Sequence, residues 1–274
     1  MITYVIGDVR GNFQALEQML DKIEFDEAQD TLWFTGNLIG GGGDSLAVLQ
    51  FVQGLGTRAV SVLGDEELRL LAVAQGVQVP GDETAFDDIL AATDSDALLT
   101  WLRQRSFLHH EHGYTLVHAG IPAEWSLSQA KVLAMEAETS LSMAGQAFFE
   151  NIFGDPPPPR WHAKHRGWRR VRFIVHAFTR MRYYNDKGRV YFSSADSDGM
   201  ATKDLIPWYW MADRAMAHQK IIFGHGSFSY NNKPDSGPDS GVVPGIYALG
   251  AGSGAEGSLN AMKIPTQQRK AASA

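Results

Sequence analysis

Short apolar runs alternate along this chain with stretches whose apolar residues recur every three or four positions. Ile2 to Ile6 is apolar, rich in β-branched residues and closed by Gly7, and Phe13, Leu16, Met19, Leu20 and Ile23 follow at helical spacing. The pattern predicts a strand, a loop and a helix. Thr31 to Thr35 repeats it, ending at Gly36, with a helix from Ser45 to Val52 beyond the glycines. Ala59 to Leu63 repeats it again, ending at Gly64 before a helix from Glu66 to Ala74. Two later runs, Tyr114 to Val117 and Ile221 to Phe223, predict strands leading into His118-Ala119-Gly120 and Gly224-His225.

Successive strand, loop and helix units need crossover connections, so the fold class is α/β with a parallel or mixed sheet. In such sheets ligands bind beyond the carboxyl ends of the strands. Asp8, Asn37 and Asp65, each just after a strand-ending glycine, are therefore expected to converge, and His118 and His225 join the same edge. Residues 82 to 105 read as helical and acidic, a cover spanning about 80–110. Pro156 to Pro159 mark a loop that opens a basic, aromatic insertion of about 155–172. One domain over 1–265 and a disordered tail over 266–274 complete the expected organisation, and 229 to 241 is rich in Ser, Asn, Gly, Pro and Asp.

Composition narrows the chemistry. With 24 Lys and Arg against 31 Asp and Glu in 274 residues, the molecule as a whole repels polyanions, so a phosphate-bearing ligand has to be drawn by a local cluster. The absence of cysteine excludes disulfides, thiolate metal sites and thiol nucleophiles. No segment approaches the roughly 18 apolar residues of a membrane span, and the first residues carry no basic leader, so a cytoplasmic protein without membrane contact is expected.

Gly7-Asp8-Val9-Arg10-Gly11, Gly36-Asn37-Leu38-Ile39, Gly64-Asp65-Glu66-Glu67, His118-Ala119-Gly120 and Gly224-His225 stand in the order and spacing of the metallophosphoesterase signature. Asp30 to Gly36, Trp101-Leu102-Arg103, Ala177 to Arg182 and Gly245 to Leu249 extend the likeness over roughly 1 to 260. In these segments the chain resembles the bacterial symmetrical diadenosine tetraphosphatases. The resemblance implies an αββα sandwich of mixed sheets flanked by helices. It also implies two divalent metals about 3.5–4 Å apart that share a carboxylate and activate a water for attack on phosphorus.

Carried across loop by loop, the resemblance is uneven. Asp8 is kept, but Arg10 stands where the family has a histidine ligand, and arginine cannot shed its proton to coordinate a metal. Asn37 stands where the family has the bridging aspartate. In the third loop Asp65 replaces an amide ligand, and Glu66 replaces the histidine that would serve as general acid. The arginine that would contact phosphate is replaced within Gly40 to Gly43, and Leu249-Gly250-Ala251-Gly252 lacks an aspartate that would orient the ligands.

The expectation is therefore either no metal or one divalent ion of the Mn, Mg, Co or Zn class, and no binuclear centre. Asp65, His118 and His225 would hold it, with Asn37 and Asp8 nearby, while Arg10 pairs with Asp8 as a fixed positive charge. Asp65 and Glu66 are the candidate catalytic carboxylates, and Arg180, Arg182 and Arg10 the candidate phosphate contacts, because arginine suits bidentate phosphate recognition.

This predicts a catalytically impaired, tetraphosphatase-like protein that binds an adenosine polyphosphate, another nucleotide or a protein partner. The alternatives are an active hydrolase splitting diadenosine tetraphosphate to two ADP with an altered site, and polyanion or nucleic-acid binding through residues 160 to 172. Plainer readings stand beside these. Asp8 suits a loop cap, and His118 and His225 suit core histidines left from a metal site. His109, His110 and His112, beside Glu111, suit a solvated surface turn. Gly40 to Gly43, with no Lys-Ser/Thr behind it, is a flexible loop and not a P-loop.

Overall fold

The three predicted strand and helix units form one half of the molecule. The computed structural model describes residues 1–79, 81, 86–192, 205–225, 243–250 and 259–265. Strands β1 (Thr3–Ile6), β2 (Thr31–Phe34) and β3 (Ala59–Ser61) run parallel, joined through helices α1 (Phe13–Lys22) and α2 (Ser45–Gly54). Helix α3 (Asp65–Val73) leads away from the third strand. A last strand, β11 (Ala261–Ile264), closes the sheet antiparallel to β1, in the order β11-β1-β2-β3.

Helices α4 (Asp87–Ala91) and α5 (Ser95–Arg103) then lead to a second sheet. There β5 (Tyr114–Val117) pairs antiparallel with β4 (Leu108–Glu111) and parallel with β9 (Lys220–Phe223), which pairs in turn with β10 (Ile246–Ala248). Between β5 and β9 the chain builds α6 (Leu127–Ala144), α7 (Gln146–Gly154) and α8 (Gly167–Arg180). A small antiparallel sheet of β6 (Tyr183–Asn185), β7 (Val190–Tyr191) and β8 (Leu205–Pro207) follows.

The period-two alternation along each strand makes this a four-layer structure. Val5, Trp33, Val62 and Ile264 from the first sheet meet Tyr114, Leu116 and Ile222 from the second. The alternate residues Tyr4, Ile6, Leu32 and Phe34 are buried with Leu16, Val48, Leu49 and Val52 of the helices outside. On the far side Phe223 packs on Trp208, and α6 and α8 cover the second sheet. The expected αββα sandwich is the observed fold.

Three expectations change. The helical cover stops at Arg103, because Leu108 to Glu111 is the strand β4. His109 and His110 therefore lie on a sheet edge and not on a solvated turn. Trp33 takes His109 edge-on at 4.6 Å between ring centroids and stacks on His112 at 6.2 Å, so these imidazoles cover the indole. Gly40 to Gly43 is tied down, since Gly42 N donates to Arg10 O at 2.8 Å and Gly40 N to Ser45 Oγ at 3.2 Å. The segment 229–241, Ala251, Gly252, residues 82–85 and the tail from 266 lie outside the described residues.

Candidate metal and phosphate site

The loops after β1, β2, β3, β5 and β9 meet at the carboxyl ends of both sheets, and small residues let them come this close. A Cβ on Gly224 would overlap Asp8 Oδ1 and Thr35 Oγ1, and one on Gly64 would overlap Asn37 Oδ1. One side chain clasps two of the loops. Glu67, in the first turn of α3 and fully buried, accepts from Gly64 N at 2.8 Å, Asn37 N at 2.9 Å and Leu38 N at 2.7 Å. These bonds close the second loop onto the third with Asn37 in the left-handed region at φ 48°, a conformation asparagine tolerates well. The first loop is hung on the second, with Arg10 N on Asn37 O and Gly11 N on Leu38 O, both at 2.8 Å.

Asp65, His118 and His225 are brought together, one ligand atom from each lying within 4.8 Å of the others. His118 Nε2 is 3.2 Å from His225 Nδ1 and 3.4 Å from Asp65 Oδ1, and His225 Nδ1 is 3.7 Å from the same oxygen. His118 is oriented from behind, its Nδ1 donating to Thr35 O at 2.7 Å. Asn37 borders the trio: its Nδ2 donates to Asp65 Oδ1 at 3.0 Å, and its Oδ1 accepts from Glu66 N at 3.2 Å. Two imidazoles and a carboxylate facing one point fit a single divalent cation of borderline character.

Asp8 reaches the same edge but is served differently. Its Oδ1 accepts from Thr35 Oγ1 at 3.0 Å and lies 3.9 Å from His118 Nδ1. Arg10 does not pair with it: the side chain is exposed, and no ion pair joins the two among the described residues, although the Arg10 charge is felt at both Asp8 and Glu66. The reason is local, because the Asp8 carboxylate is turned inward to Thr35. Among the described residues the donor set at this position, one aspartate and an exposed cation, does not fit a second metal.

Electrostatics separate the groups further. Burial pushes the Asp8 carboxyl up to about 6, against the charges of His118 and Arg10 and the Thr35 hydrogen bond. Burial also opposes ionisation of Asp65, but the hydrogen bond and charge of His118, the charge of His225 and the Asn37 amide outweigh it. They hold that carboxyl well below the usual range. At His118 burial is overcome by Asp8, Asp65 and Glu67, which raise the imidazole to about 9 in the absence of a cation. At His225 burial prevails despite Asp65, helped by His118, Arg182 and Arg180, and the ring is lowered to about 3.

The remaining candidates flank this centre. Glu66 is bound to Arg69 at 2.6 Å, and its carboxyl is raised by burial and then by Asp65. Arg182 Nε donates to His225 Nε2 at 3.2 Å, and Arg180 ends α8 close enough for its charge to act on His225. The basic stretch divides. Arg170 pairs with Glu136 at 2.7 Å, Arg172 is buried against Asp155 at 2.9 Å, and Trp161 and Trp168 pack on Trp125 and Phe148. Arg160, Lys164, Arg166 and Arg169 stay exposed, so the aromatics of the stretch serve the core and these four cations lie outside it.

Sequence reasoning did not assign the clasp of Glu67 or the double task of Thr35. A glutamate three residues after the strand-ending Gly64 is a capping spacing and could have pointed to the first. Nothing in the chain marks Thr35.

Comparison with known proteins agrees with this architecture. The calcineurin-like phosphoesterase family matches residues 1–225. The symmetrical bis(5'-nucleosyl)-tetraphosphatase of Methylococcus capsulatus is 44% identical over 229 residues, covering 83% of this chain and 82% of that protein. The chain belongs to this tetraphosphatase family of calcineurin-like phosphoesterases. A second member, from Nitrosococcus oceani, is 37% identical over 272 residues, covering 98% of this chain and 95% of its own. A crystal structure provisionally assigned as a diadenosine tetraphosphatase shares the fold, with a TM-score of 0.56 at 17% identity over 96% of this chain and 89% of that one. Metallophosphoesterases use divalent metal, and in this member the trio is the described group able to hold one. Among the described residues no helix is long and apolar enough to cross a membrane.

Proposed function

We propose that this tetraphosphatase-family protein binds one divalent cation and an adenosine polyphosphate, and turns the nucleotide over far more slowly than a two-metal enzyme of the same fold. One observation carries the reading. Donor atoms of Asp65, His118 and His225 crowd within 4.8 Å at one position, whereas among the described residues the other offers Asp8 alone. A bound cation would polarise a phosphoryl oxygen or acidify a water there. The chain's own residues supply the rest: Arg182 and Arg180 give donors for phosphate oxygens, Asn37 orients Asp65, and Glu66 stands beside the centre as a carboxyl able to carry a proton. Without the shared carboxylate and its second cation, charge developing in the transition state is met by fewer fixed partners.

A second reading has a specific observation in its favour. Under the family resemblance Asn37 replaces an aspartate and Asp65 an asparagine, and these two side chains touch at 3.0 Å. An exchange between touching positions keeps one carboxylate and one amide at the centre, which supports a working hydrolase that releases two ADP. Metal analysis and a hydrolysis assay with diadenosine tetraphosphate across Mn, Mg, Co and Zn separate the readings. One cation per chain with only trace turnover, both lost in His225→Ala and Asp65→Ala, supports the first. Turnover comparable to the family's enzymes supports the second. No bound cation under any condition sinks both.

A further inference from the structure

The two histidines of the trio are not equally prepared for a cation, and the difference lies in what holds their outer nitrogens. A ligating imidazole ordinarily donates its outer N–H to a carbonyl or carboxylate, which leaves the inner nitrogen with its lone pair free. His118 has that arrangement. Its outer Nδ1 faces the Thr35 carbonyl at 2.7 Å, an acceptor only, so one proton sits outside, and Nε2 faces the trio 3.4 Å from Asp65 Oδ1, where a cation takes the place of the second proton. His225 has the reverse. Its outer Nε2 faces Arg182 Nε at 3.2 Å, and a guanidinium can only donate. Nε2 must then carry the lone pair, and the proton of the neutral ring sits on Nδ1, the atom turned toward His118 Nε2 at 3.2 Å and Asp65 Oδ1 at 3.7 Å. Both inner nitrogens thus turn a proton toward Asp65 Oδ1, but only His118 can give its own up without setting a proton against a donor at the outer nitrogen.

We infer that Arg182 is a positioning residue that locks His225 in the tautomer unable to ligate, so that a cation is accepted only as the arginine lets go. This deepens the single-cation reading above and rests on it. For His225 Nδ1 to ligate, its proton must move to Nε2, where it would meet the Arg182 N–H head on. The arginine backbone is pinned, with its N on Tyr191 O at 2.9 Å and its O accepting from Trp208 N at 3.1 Å, so the release belongs to the half-buried side chain. A released guanidinium is a free bidentate donor beside the centre. An oxyanion that captures it favours cation binding, and by linkage the cation favours the oxyanion to the same degree. Loading of the centre and readiness for phosphate become one event.

The test uses the full chain stripped of metal, ¹⁵N-imidazole NMR with His225→Ala to assign the ring, and titration calorimetry with Mn²⁺, for wild type and Arg182→Met. The expected wild-type His225 is the Nδ1–H tautomer. In Arg182→Met it shifts toward Nε2–H, and Mn²⁺ binds roughly tenfold tighter, the scale of one hydrogen bond to a charged group. Inorganic phosphate should tighten Mn²⁺ binding to wild type and not to the variant. An Nε2–H tautomer in metal-free wild type overturns the inference. So does tighter Mn²⁺ binding in the variant with its tautomer unchanged, which would mean that the arginine acts by charge alone. If neither protein binds Mn²⁺, the single-cation reading fails, and the tautomer comparison still decides whether the lock exists.

Discussion

Two aspartates in one cluster of loops, at the two positions where the family resemblance implies metals, are served in opposite ways. At the first, Asp8 is retained but turned to Thr35, Arg10 points to solvent, and burial drives the carboxyl toward its neutral form. At the second, His118, His225 and Asn37 all favour the charge of Asp65, and its carboxyl is driven toward the ionised form. The difference teaches that a buried carboxylate keeps its charge only where cations or donors converge on it, and that retaining the residue is not enough. At Asp8 the Thr35 hydroxyl and the nearby charges do not outweigh burial, whereas at Asp65 the converging partners do.

The largest effect should come from erasing that contrast. Restoring the family pattern with Arg10→His, Asn37→Asp and Asp65→Asn together should raise bound metal from one to two per chain. Hydrolysis of diadenosine tetraphosphate should rise by on the order of 10³-fold, the scale lost when transition-state charge goes unmet. Metal counting on the purified triple variant, with the assay run in parallel, checks it. A triple variant that folds, still holds one metal and is no faster would overturn the proposal that these three residues limit metal loading and turnover.

A smaller effect follows from the opposite pKa shifts, measured by urea unfolding with metal chelated. Asp8 has a folded value near 6 against 3.8 unfolded. The folded state therefore holds an extra proton between those values, and wild type loses stability as pH rises through that window. Asp8→Asn has no such loss and should be more stable at pH 7 by up to about 3 kcal/mol, with the gain vanishing below pH 4. Asp65 runs the other way. Its folded value is depressed, so its contribution is present above the unfolded value and fades as pH falls, and Asp65→Asn should be less stable at pH 7. Shifts of the same sign in both variants would dissolve the comparison.

Much of this contrast could be read from the chain. β1, β2, β3 and β9 announce themselves as short, largely apolar runs ending at glycine, and β5 as one ending at His118-Ala119-Gly120, because parallel strands buried on both faces have little polar to interrupt them. β4 does not, since Leu-His-His-Glu at a sheet edge carries one apolar residue. The apolar face of α6 is blurred by Val132, Met135 and Met143, which are exposed. The trio was legible from residue type and loop position. Its orientation was not, because Thr35 acts through a backbone carbonyl, and the contact of Arg182 with His225 joins positions 43 apart through a side-chain direction that no sequence pattern encodes.

The smallest effect concerns Glu66, at the edge of the second position. Arg69 holds it at 2.6 Å across one turn of α3, and both side chains are partly exposed, so the pair itself is worth about 1 kcal/mol or less. Arg69→Met should therefore change unfolding little. Its informative consequence is in the pH profile. Burial and then Asp65 raise the Glu66 carboxyl, Arg69 opposes them, and removing the arginine should raise it further. If Glu66 delivers a proton to the leaving group, the alkaline fall in the wild-type rate reports its deprotonation. That limb should move to higher pH in Arg69→Met and disappear, along with most of the rate, in Glu66→Gln. An alkaline limb unmoved by Arg69→Met would remove Glu66 from proton transfer and leave it as the partner that fixes Arg69 at the mouth of the third loop.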